Sequence, residues 1–161
     1  MKKREECLTA FLAAEQARCY RLAYSYLKNR EEALDAVQSA ACRALERQDT
    51  LRDTAAVRSW FFRILVNVCT DTLRQRSRTV PFPQEGAEEA VWDPEPEDES
   101  LARRVEALPP ELGTVIRLRF YEDLSLKEIS AVTGWNLNTV KSRLYSALKK
   151  LRVSMKGADE E

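Results

Sequence analysis

Several residue types that often build functional sites are missing or scarce in this chain of 161 residues. Histidine is absent, and the four cysteines lie far apart, at Cys7, Cys19, Cys42 and Cys69. This spacing offers neither a zinc site nor a disulfide framework, so we interpret the cysteines as reduced thiols of a cytoplasmic protein. Because the sequence also lacks a phosphate-binding loop and a pair of nucleophile and base, we expect no cofactor, no metal and no enzymatic activity.

Long apolar runs are also missing, and with them the signature of a membrane protein. No run approaches the roughly 18 apolar residues that a spanning helix needs. The N-terminal stretch MKKREECLTAFLAAE faintly resembles a signal peptide, but Glu5 and Glu6 interrupt its basic start and Glu15 closes its short apolar run. We therefore interpret this stretch as the start of an amphipathic helix and expect no membrane insertion.

The formal net charge is zero, which by itself suggests no nucleic-acid partner, but the charge is distributed unevenly along the chain. Residues 1–78 carry a net charge of +5, and residues 79–100 carry −8. Residues 101–156 carry +6, and residues 157–161 carry −3. Two basic segments therefore flank an acidic one.

Apolar residues recur at helical spacing nearly everywhere outside the acidic segment, and no convincing strand alternation is present. Glycine and proline are scarce too, with four and six residues, so few sharp turns are available and the sequence predicts an all-α fold. Apolar residues between Leu8 and Tyr26 predict a first helix or a broken pair. A second helix is expected after Asn29, which is suited to cap it, with Glu32 three residues on. Its predicted buried side comprises Ala33, Val37, Ala40 and Ala44.

A third helix is predicted from about Ala55 to Gln75. At 100° per residue, its apolar stripe comprises Val57, Trp60, Phe61, Ile64, Leu65 and Val68. A neighbouring polar stripe comprises Ser59, Arg63, Asn67 and Arg74. Such a helix can pack on the first two helices through its apolar stripe and keep the polar stripe on the surface.

The acidic segment separates two helical modules. Residues 79–100 contain four prolines, eight acidic residues and no periodic apolar pattern, which predicts a flexible linker. The predicted modules are residues 1–78 and residues 101–156, and residues 157–161 form an acidic tail.

Signals for helix starts recur in the second module. Ser100 is suited to cap a helix that begins at Leu101, and PPEL predicts another helix that runs through Phe120. Ser125 and Glu128 match a capping box, which predicts the start of a further, shorter helix. The module is therefore expected to contain several short helices before its last one.

The last two helices have the spacing of a helix-turn-helix motif. Gly134 permits the positive φ of a tight turn, and Ile129 and Val132 supply the buried side of the helix before it. The predicted apolar arc of the last helix comprises Val140, Leu144, Ala147, Leu148 and Leu151. Its predicted outer face comprises Lys141, Ser142, Tyr145, Ser146 and Lys149. Such a helix can enter the major groove of DNA, and the alternative is a helical hairpin whose polar face is merely solvated.

These segments carry a family resemblance. LPPELGTVIRLRFYEDLSLKEISAVTGWNLNTVKSRLYSALKKLR resembles region 4 of bacterial sigma factors of the extracytoplasmic function (ECF) group, and TVKSRL is its most specific piece. AYSYLKNREEALDAVQSAACRAL and VRSWFFRILVNVCTDTLRQRSR resemble region 2 of the same group. The resemblance covers nearly the whole chain in the order region 2, linker and region 4. It implies a dissociable subunit that gives RNA polymerase its promoter specificity.

The resemblance also implies roles for particular residues. Region 4 would bind the −35 element as duplex and contact the polymerase β flap, with DNA contacts from Asn138, Thr139, Lys141, Ser142, Tyr145, Ser146 and Lys149. Region 2 would bind the β′ clamp helices through Asp35, Gln38, Ser39 and Cys42. It would capture the unpaired non-template strand near −10 through Arg52, Asp53, Arg58, Trp60, Arg63, Asn67 and Arg74. Arginines around an aromatic cluster suit this task, because flipped bases need stacking surfaces and their phosphates need cations.

Several of these assignments have a purely structural alternative. Trp60 at the edge of the apolar stripe belongs either to the core or to the edge of the DNA bubble, whereas we expect Phe61 in the core. Asp35 and Gln38 are either solvated or in contact with the clamp. The acidic linker is a spacer or, by the resemblance, a nucleic-acid mimic on the path to the RNA exit channel.

Five positions depart from the usual family pattern. The family commonly has an acidic residue at the position of Ser39, a bulky apolar one at Ala41 and glycine at Asp53. It commonly has glycine at the position of Asn138 and a basic residue at Ser146. These departures affect the predicted contacts with the clamp, with the −10 element and with the −35 element.

Two function classes thus remain for a non-enzymatic chain. The first is an alternative sigma factor in the cytoplasm, whose partners would be core RNA polymerase, promoter DNA and an anti-sigma factor. The second is a helix-turn-helix regulator that binds duplex DNA without polymerase. Such a regulator would have no use for the DAVQ motif or for the aromatic cluster around Trp60, so the sequence favours the first class.

Overall fold

The structure is a computed structural model that describes the backbone of residues 2–78 and 99–159 and the side chains of residues 3–77 and 100–155. Every regular element within these residues is helical, which confirms the predicted all-α class. The chain divides into two compact units, Met1–Val91 and Trp92–Glu161. The predicted linker lies outside the described residues except at its last two positions.

Within its described residues, 2–78, the first unit is a bundle of four α-helices. They are α1 (Lys2–Ala14), α2 (Gln16–Leu27), α3 (Arg30–Glu46) and α4 (Val57–Arg78). The chain bends at Glu15, so the broken pair is the correct form of the first predicted helix. Two short 3-10 turns, Gln48–Thr50 and Thr54–Ala56, lie in the connection between α3 and α4.

The turn between α2 and α3 takes only two residues. Lys28 adopts a left-handed conformation with φ of 55°, and its N–H donates to the Tyr24 carbonyl at 2.8 Å. Asn29 is extended, and its Oδ1 accepts a hydrogen bond of 2.9 Å from the backbone N–H of Glu32. The predicted cap is therefore confirmed, and it satisfies one of the N–H groups that a helix start leaves without a partner.

Small side chains let α3 pack closely on its neighbours. Ala33, Ala40 and Ala44 are fully buried, as predicted. Ala36 is also buried, whereas Val37 is only half-buried, so the buried side of α3 is rotated slightly from the predicted one. Alanines at helical spacing permit a short distance between helix axes.

The core of this unit forms around α4. Of its predicted stripe, Phe61, Ile64, Leu65 and Val68 are buried, whereas Val57 and Trp60 are half-buried. The stripe is wider than predicted, because α1, α2 and α3 all pack against this helix. The additional buried residues are Phe62, Val66 and Cys69.

A cluster of three phenylalanines joins α1 to α4. The ring of Phe11 lies 5.6 Å from that of Phe61 and 6.2 Å from that of Phe62, in tilted and edge-on orientations. Such pairs add to the stabilisation that the burial of the rings provides. The prediction that Phe61 belongs to the core is confirmed.

The part of the second unit that the structure describes, residues 99–159, also contains four α-helices. They are α5 (Glu99–Glu106), α6 (Pro110–Ile116), α7 (Leu126–Thr133) and α8 (Leu137–Asp159). One sequence expectation at its start needs correction. Ser100 lies within α5 and is not its cap, because α5 begins one residue earlier.

The core of the second unit lies between α5, α6 and α8. It comprises Val105, Leu112, Ile116, Ala147 and Leu151, with Leu101, Leu108 and Leu144 packed against it. The prediction for Leu148 was wrong, because 40% of this side chain is exposed at the edge of the apolar arc. The arc therefore covers a narrower sector of α8 than the sequence indicates.

The helix that starts at PPEL changes its hydrogen bonding before it ends. After α6, Arg117–Tyr121 form a π-helical turn, and both Arg117 and Glu122 are buried. A Cβ atom at Gly113 would lie 2.8 Å from Nη1 of Arg117, so the absence of a side chain at Gly113 leaves room for this guanidinium.

Candidate DNA- and polymerase-binding surfaces

The predicted helix-turn-helix is formed by α7 and α8. The Ser125 hydroxyl accepts from the Glu128 N–H at 3.1 Å, and the Glu128 carboxylate accepts from the Ser125 N–H at 2.8 Å, which confirms the capping box. Gly134 has φ of 80° and closes α7, as predicted. Ile129 and Val132, the predicted buried side of α7, are buried. The capping box fixes the start of α7, and the left-handed residue Gly134 ends α7 and leads the chain into α8.

One face of α8 is polar and exposed, and we call it the recognition face. It comprises Asn138, Lys141, Ser142, Tyr145, Ser146 and Lys149. Tyr145 protrudes most, with 77% of its surface exposed. Thr139, the remaining predicted −35 residue, is half-buried at the edge of this face. Hydroxyl, amide and ammonium groups on one exposed helical face can donate to base edges and phosphates in a major groove.

The turn before α8 contains a contact that sequence reasoning missed. The guanidinium carbon of Arg143 lies 4.3 Å from the centre of the Trp135 ring, which is cation–π distance. Asn136 follows Trp135, and its Oδ1 accepts from the Asn138 N–H at 2.8 Å. This bond uses the backbone N–H of Asn138, which glycine, the common family residue at this position, would also supply.

The predicted −10 residues lie on α4 and on the connection before it. Arg52, Asp53, Arg63, Asn67 and Arg74 are exposed, whereas Arg58, Ser59 and Trp60 are half-buried. Arg63 and Asn67 are one helical turn apart on α4 and therefore share a face. Farther along, Arg74 is held by an ion pair of 3.1 Å with Asp71. The structure thus brings cationic and amide groups together on the exposed side of α4.

Trp60 is anchored to the connection before α4. Its indole N–H donates to the hydroxyl of Thr50 at 3.0 Å, and Leu51 beside Thr50 is buried. Half-burial of the ring fits neither the pure core alternative nor a freely exposed side chain. Sequence reasoning missed Thr50, because a contact across ten residues between a 3-10 turn and a helix leaves no periodic signal.

Asp53 does not need the conformational freedom of glycine. Its φ is −119°, which any residue adopts, and its Oδ1 accepts from the Ala55 N–H at 3.0 Å. The side chain therefore caps the short turn Thr54–Ala56. At this position the departure from the family pattern is compatible with an ordered connection.

The predicted clamp residues share the exposed side of α3. Asp35, Gln38, Ser39 and Cys42 are all exposed. Two large apolar residues lie beside them, Leu34 and Leu45, which are 45% and 43% exposed. Sequence reasoning missed these leucines, although their spacing from Gln38, four and seven residues, already places all three on one helical face. We call this set of six residues the α3 face.

No group of three or more acidic, cysteine or histidine side chains within the described residues is arranged to hold a metal ion. No helix in this part of the chain is long and apolar enough to cross a membrane. The four cysteines form no disulfide with one another.

The two halves of the chain match two family models. Residues 11–79 match sigma-70 region 2, and residues 98–151 match sigma-70 region 4. Because these matches cover more than half of the chain, the chain belongs to the sigma-70 family of transcription initiation factors. Within this family it is an alternative sigma factor of the ECF type, a subunit that binds core RNA polymerase and directs it to promoters.

Individual relatives agree with this assignment. The chain is 41% identical to the RNA polymerase sigma factor SigV of Bacillus subtilis over 147 residues, which are 87% of this chain and 86% of that protein. It is 31% identical to the ECF RNA polymerase sigma-E factor of Escherichia coli K12 over 130 residues, or 70% of this chain and 68% of that protein. These relatives give no support to a regulator that acts without polymerase.

Two solved structures are similar in fold. One is the sigma factor RpoE in complex with the anti-sigma factor NepR from Bartonella quintana, with a TM-score of 0.71, 21% identity, and coverage of 92% of this chain and 96% of that one. The other is CnrH in complex with the cytosolic domain of CnrY, with a TM-score of 0.72, 22% identity, and coverage of 93% and 88%. Both support the predicted helical architecture.

Proposed function

We propose that the recognition face of α8 reads the −35 element as duplex DNA. The observation that carries this proposal is the exposure of Lys141, Ser142 and Tyr145 on one side of α8, which follows α7 after the left-handed turn at Gly134. Lys149 and Arg152 act mainly on phosphates, because an ammonium or guanidinium at the edge of the face tracks the backbone without reading sequence. Asn138, Thr139 and Ser146 complete the contact.

The exposed side of α4 and the connection before it bind the non-template strand near −10. Asn67 both donates and accepts hydrogen bonds at the edge of a flipped base, and Arg63 and Arg74 follow the phosphates. Trp60 supports the upstream edge of the bubble, and its hydrogen bond to Thr50 keeps the ring in place. Arg52 and Asp53, from the connection before α4, and Arg58, from the first turn of α4, complete this contact.

The α3 face contacts the β′ clamp helices of core polymerase. Asp35, Gln38, Ser39 and Cys42 supply polar contacts, and Leu34 and Leu45 supply the apolar area that an interface core needs. In this protein Ala41, where the family commonly has a bulky apolar residue, is half-buried, so the two exposed leucines carry the apolar part of the contact.

The module boundaries and the further partners follow from the same proposal. Residues 1–78 form region 2, residues 79–100 link the modules, residues 101–156 form region 4, and residues 157–161 are a tail. Stretched to its limit, a linker of this length reaches about 70 Å, and promoter elements nearly two turns apart need about 50 to 70 Å.

The protein acts in the cytoplasm, has no catalytic centre of its own, and is held inactive by an anti-sigma factor.

Transcription with reconstituted polymerase tests whether α8 recognises the −35 element and α4 the −10 element. Core polymerase with this protein is offered promoter libraries randomised at −35 or at −10, and the selected sequences are compared for the wild type and for variants of α4 and α8. Alanine at Lys141, Ser142 and Tyr145 is expected to relax the preference at −35 and to leave that at −10 intact. An unchanged preference at −35 refutes the recognition face.

A further inference from the structure

The contact between Trp135 and Arg143 joins the turn of the helix-turn-helix to the recognition helix. The guanidinium carbon lies 4.3 Å from the ring centre, so the cation rests on the face of the indole. The ion pairs found among the described residues do not include Arg143. A guanidinium that stacks through its flat face keeps its N–H groups directed outward in the plane, where they can bind a phosphate in two places.

The backbone of Trp135 is held by two hydrogen bonds. The Ser130 hydroxyl donates to the Trp135 carbonyl at 2.5 Å, and the Trp135 N–H donates to the Thr133 hydroxyl at 3.1 Å. The residue before it is Gly134, whose left-handed conformation sets the direction of the chain. Both partners lie on α7, so the backbone from which the ring projects has a fixed place just before α8.

The position of Arg143 on α8 suits the edge of a groove rather than its floor. Three residues on from the buried Val140, it lies beside the apolar arc, on the side away from Lys141. Its guanidinium points back toward the start of the helix, because it rests on a residue that precedes α8. The start of a recognition helix enters the major groove, and the walls of that groove are phosphates.

We propose that Arg143, held by the ring of Trp135, binds a backbone phosphate of the −35 duplex and that Trp135 is its positioning residue. This inference rests on the proposed function of α8. Arg143 positions the recognition helix without reading sequence, because phosphate contacts fix the register of a protein on DNA and carry no base information. Trp135 acts through Arg143, since it restricts the rotamers of the arginine before DNA binds.

A double-mutant cycle in the complete holoenzyme tests this inference. Core polymerase is assembled with the wild type, Arg143→Ala, Trp135→Leu, Trp135→Phe or the double variant Trp135→Leu with Arg143→Ala. Affinity for a labelled promoter duplex is then measured over a range of KCl concentrations. Lys3→Ala, which removes one exposed positive charge from α1, serves as the matched control.

The salt dependence of DNA affinity distinguishes the phosphate contact of Arg143 from the positioning role of Trp135. Arg143→Ala is expected to reduce the slope of log affinity against log salt by about 0.9, the value for one phosphate, equally for all −35 sequences. Trp135→Leu is expected to weaken binding about two- to fivefold with the slope unchanged, because the charge remains while its stacking partner is lost. Trp135→Phe keeps a ring and is expected to retain most of the affinity.

The double variant decides whether Trp135 acts through Arg143. If it does, Trp135→Leu has no further effect once Arg143 is alanine. An equal loss in both backgrounds shows a separate role of Trp135 and overturns the positioning part, and an unchanged salt slope in Arg143→Ala overturns the phosphate contact. Base preference is measured in the same assay with alanine at Lys141, Ser142 and Tyr145, so a wrong recognition face is detected independently of Arg143.

Discussion

The indole N–H of Trp60 donates to the hydroxyl of Thr50 at 3.0 Å, and this bond ties the first turn of α4 to the connection that precedes it. Thr50 is itself held, because its hydroxyl donates to the Arg47 carbonyl at 2.7 Å. The ring of Trp60 therefore has a defined orientation before any DNA is bound. A ring fixed in this way loses little conformational freedom when a base pair comes to rest against it.

We predict that Thr50→Val clearly impairs promoter opening and lowers the stability of the fold only slightly. Valine has nearly the shape of threonine but accepts no hydrogen bond, so the indole is released while the fold loses about 0.5 to 1.5 kcal/mol at most. Permanganate footprinting of the holoenzyme measures opening, and thermal unfolding measures stability. Thr9→Val is the matched control, since Thr9 makes a comparable bond to the Glu5 carbonyl on α1. Equal opening by Thr50→Val and the control contradicts the proposed role of Trp60.

The second prediction concerns Asn67. Asn67→Ala is expected to leave the closed complex intact and to reduce melting, because unstacking a base costs a few kcal/mol that contacts with the flipped base must offset. Permanganate reactivity near −10 is compared on a closed promoter and on a template with a premelted bubble. The premelted template should restore most of the transcription that Asn67→Ala loses on the closed promoter. Normal opening by the variant on the closed promoter would show that Asn67 holds no flipped base.

A third prediction concerns the α3 face. Asp35→Arg is expected to weaken binding to core polymerase and to change the free energy of unfolding by no more than about 0.5 kcal/mol, because the side chain is exposed. Affinity is measured by titration of labelled sigma factor with core enzyme. Glu6→Arg, the same charge reversal at an exposed position of α1, is the control. If both variants bind core polymerase as the wild type does, Asp35 lies outside the interface.

The fourth prediction concerns the turn of the helix-turn-helix. At φ of 80°, Gly134 is in a region where a Cβ atom costs about 1 to 2 kcal/mol, so Gly134→Ala should destabilise α7 and α8 by about that amount. Gly134→Asn should cost less, because asparagine tolerates the left-handed conformation. Hydrogen exchange of the α7 and α8 amides measures the loss. Equal protection in the alanine variant and the wild type contradicts this account.

Local chemistry explains what was predicted correctly. The caps at Asn29 and at Ser125 with Glu128, and the turn at Gly134, were found because each donor and acceptor lies within three or four residues of its partner. The helical class followed from periodic apolar spacing, and the sigma-70 assignment from motifs in both halves of the chain. The roles of the individual site residues stay predictions.

The helices, their caps and the family depend on neighbours along the chain, so they can be predicted from the sequence. The width of the buried side of α4, the exposure of Leu148 and the partners of Trp60 and Arg143 depend instead on how the helices pack. Burial is set by how many elements surround a helix, and a contact between side chains is set by their rotamers. Neither quantity is encoded in the period of a single segment.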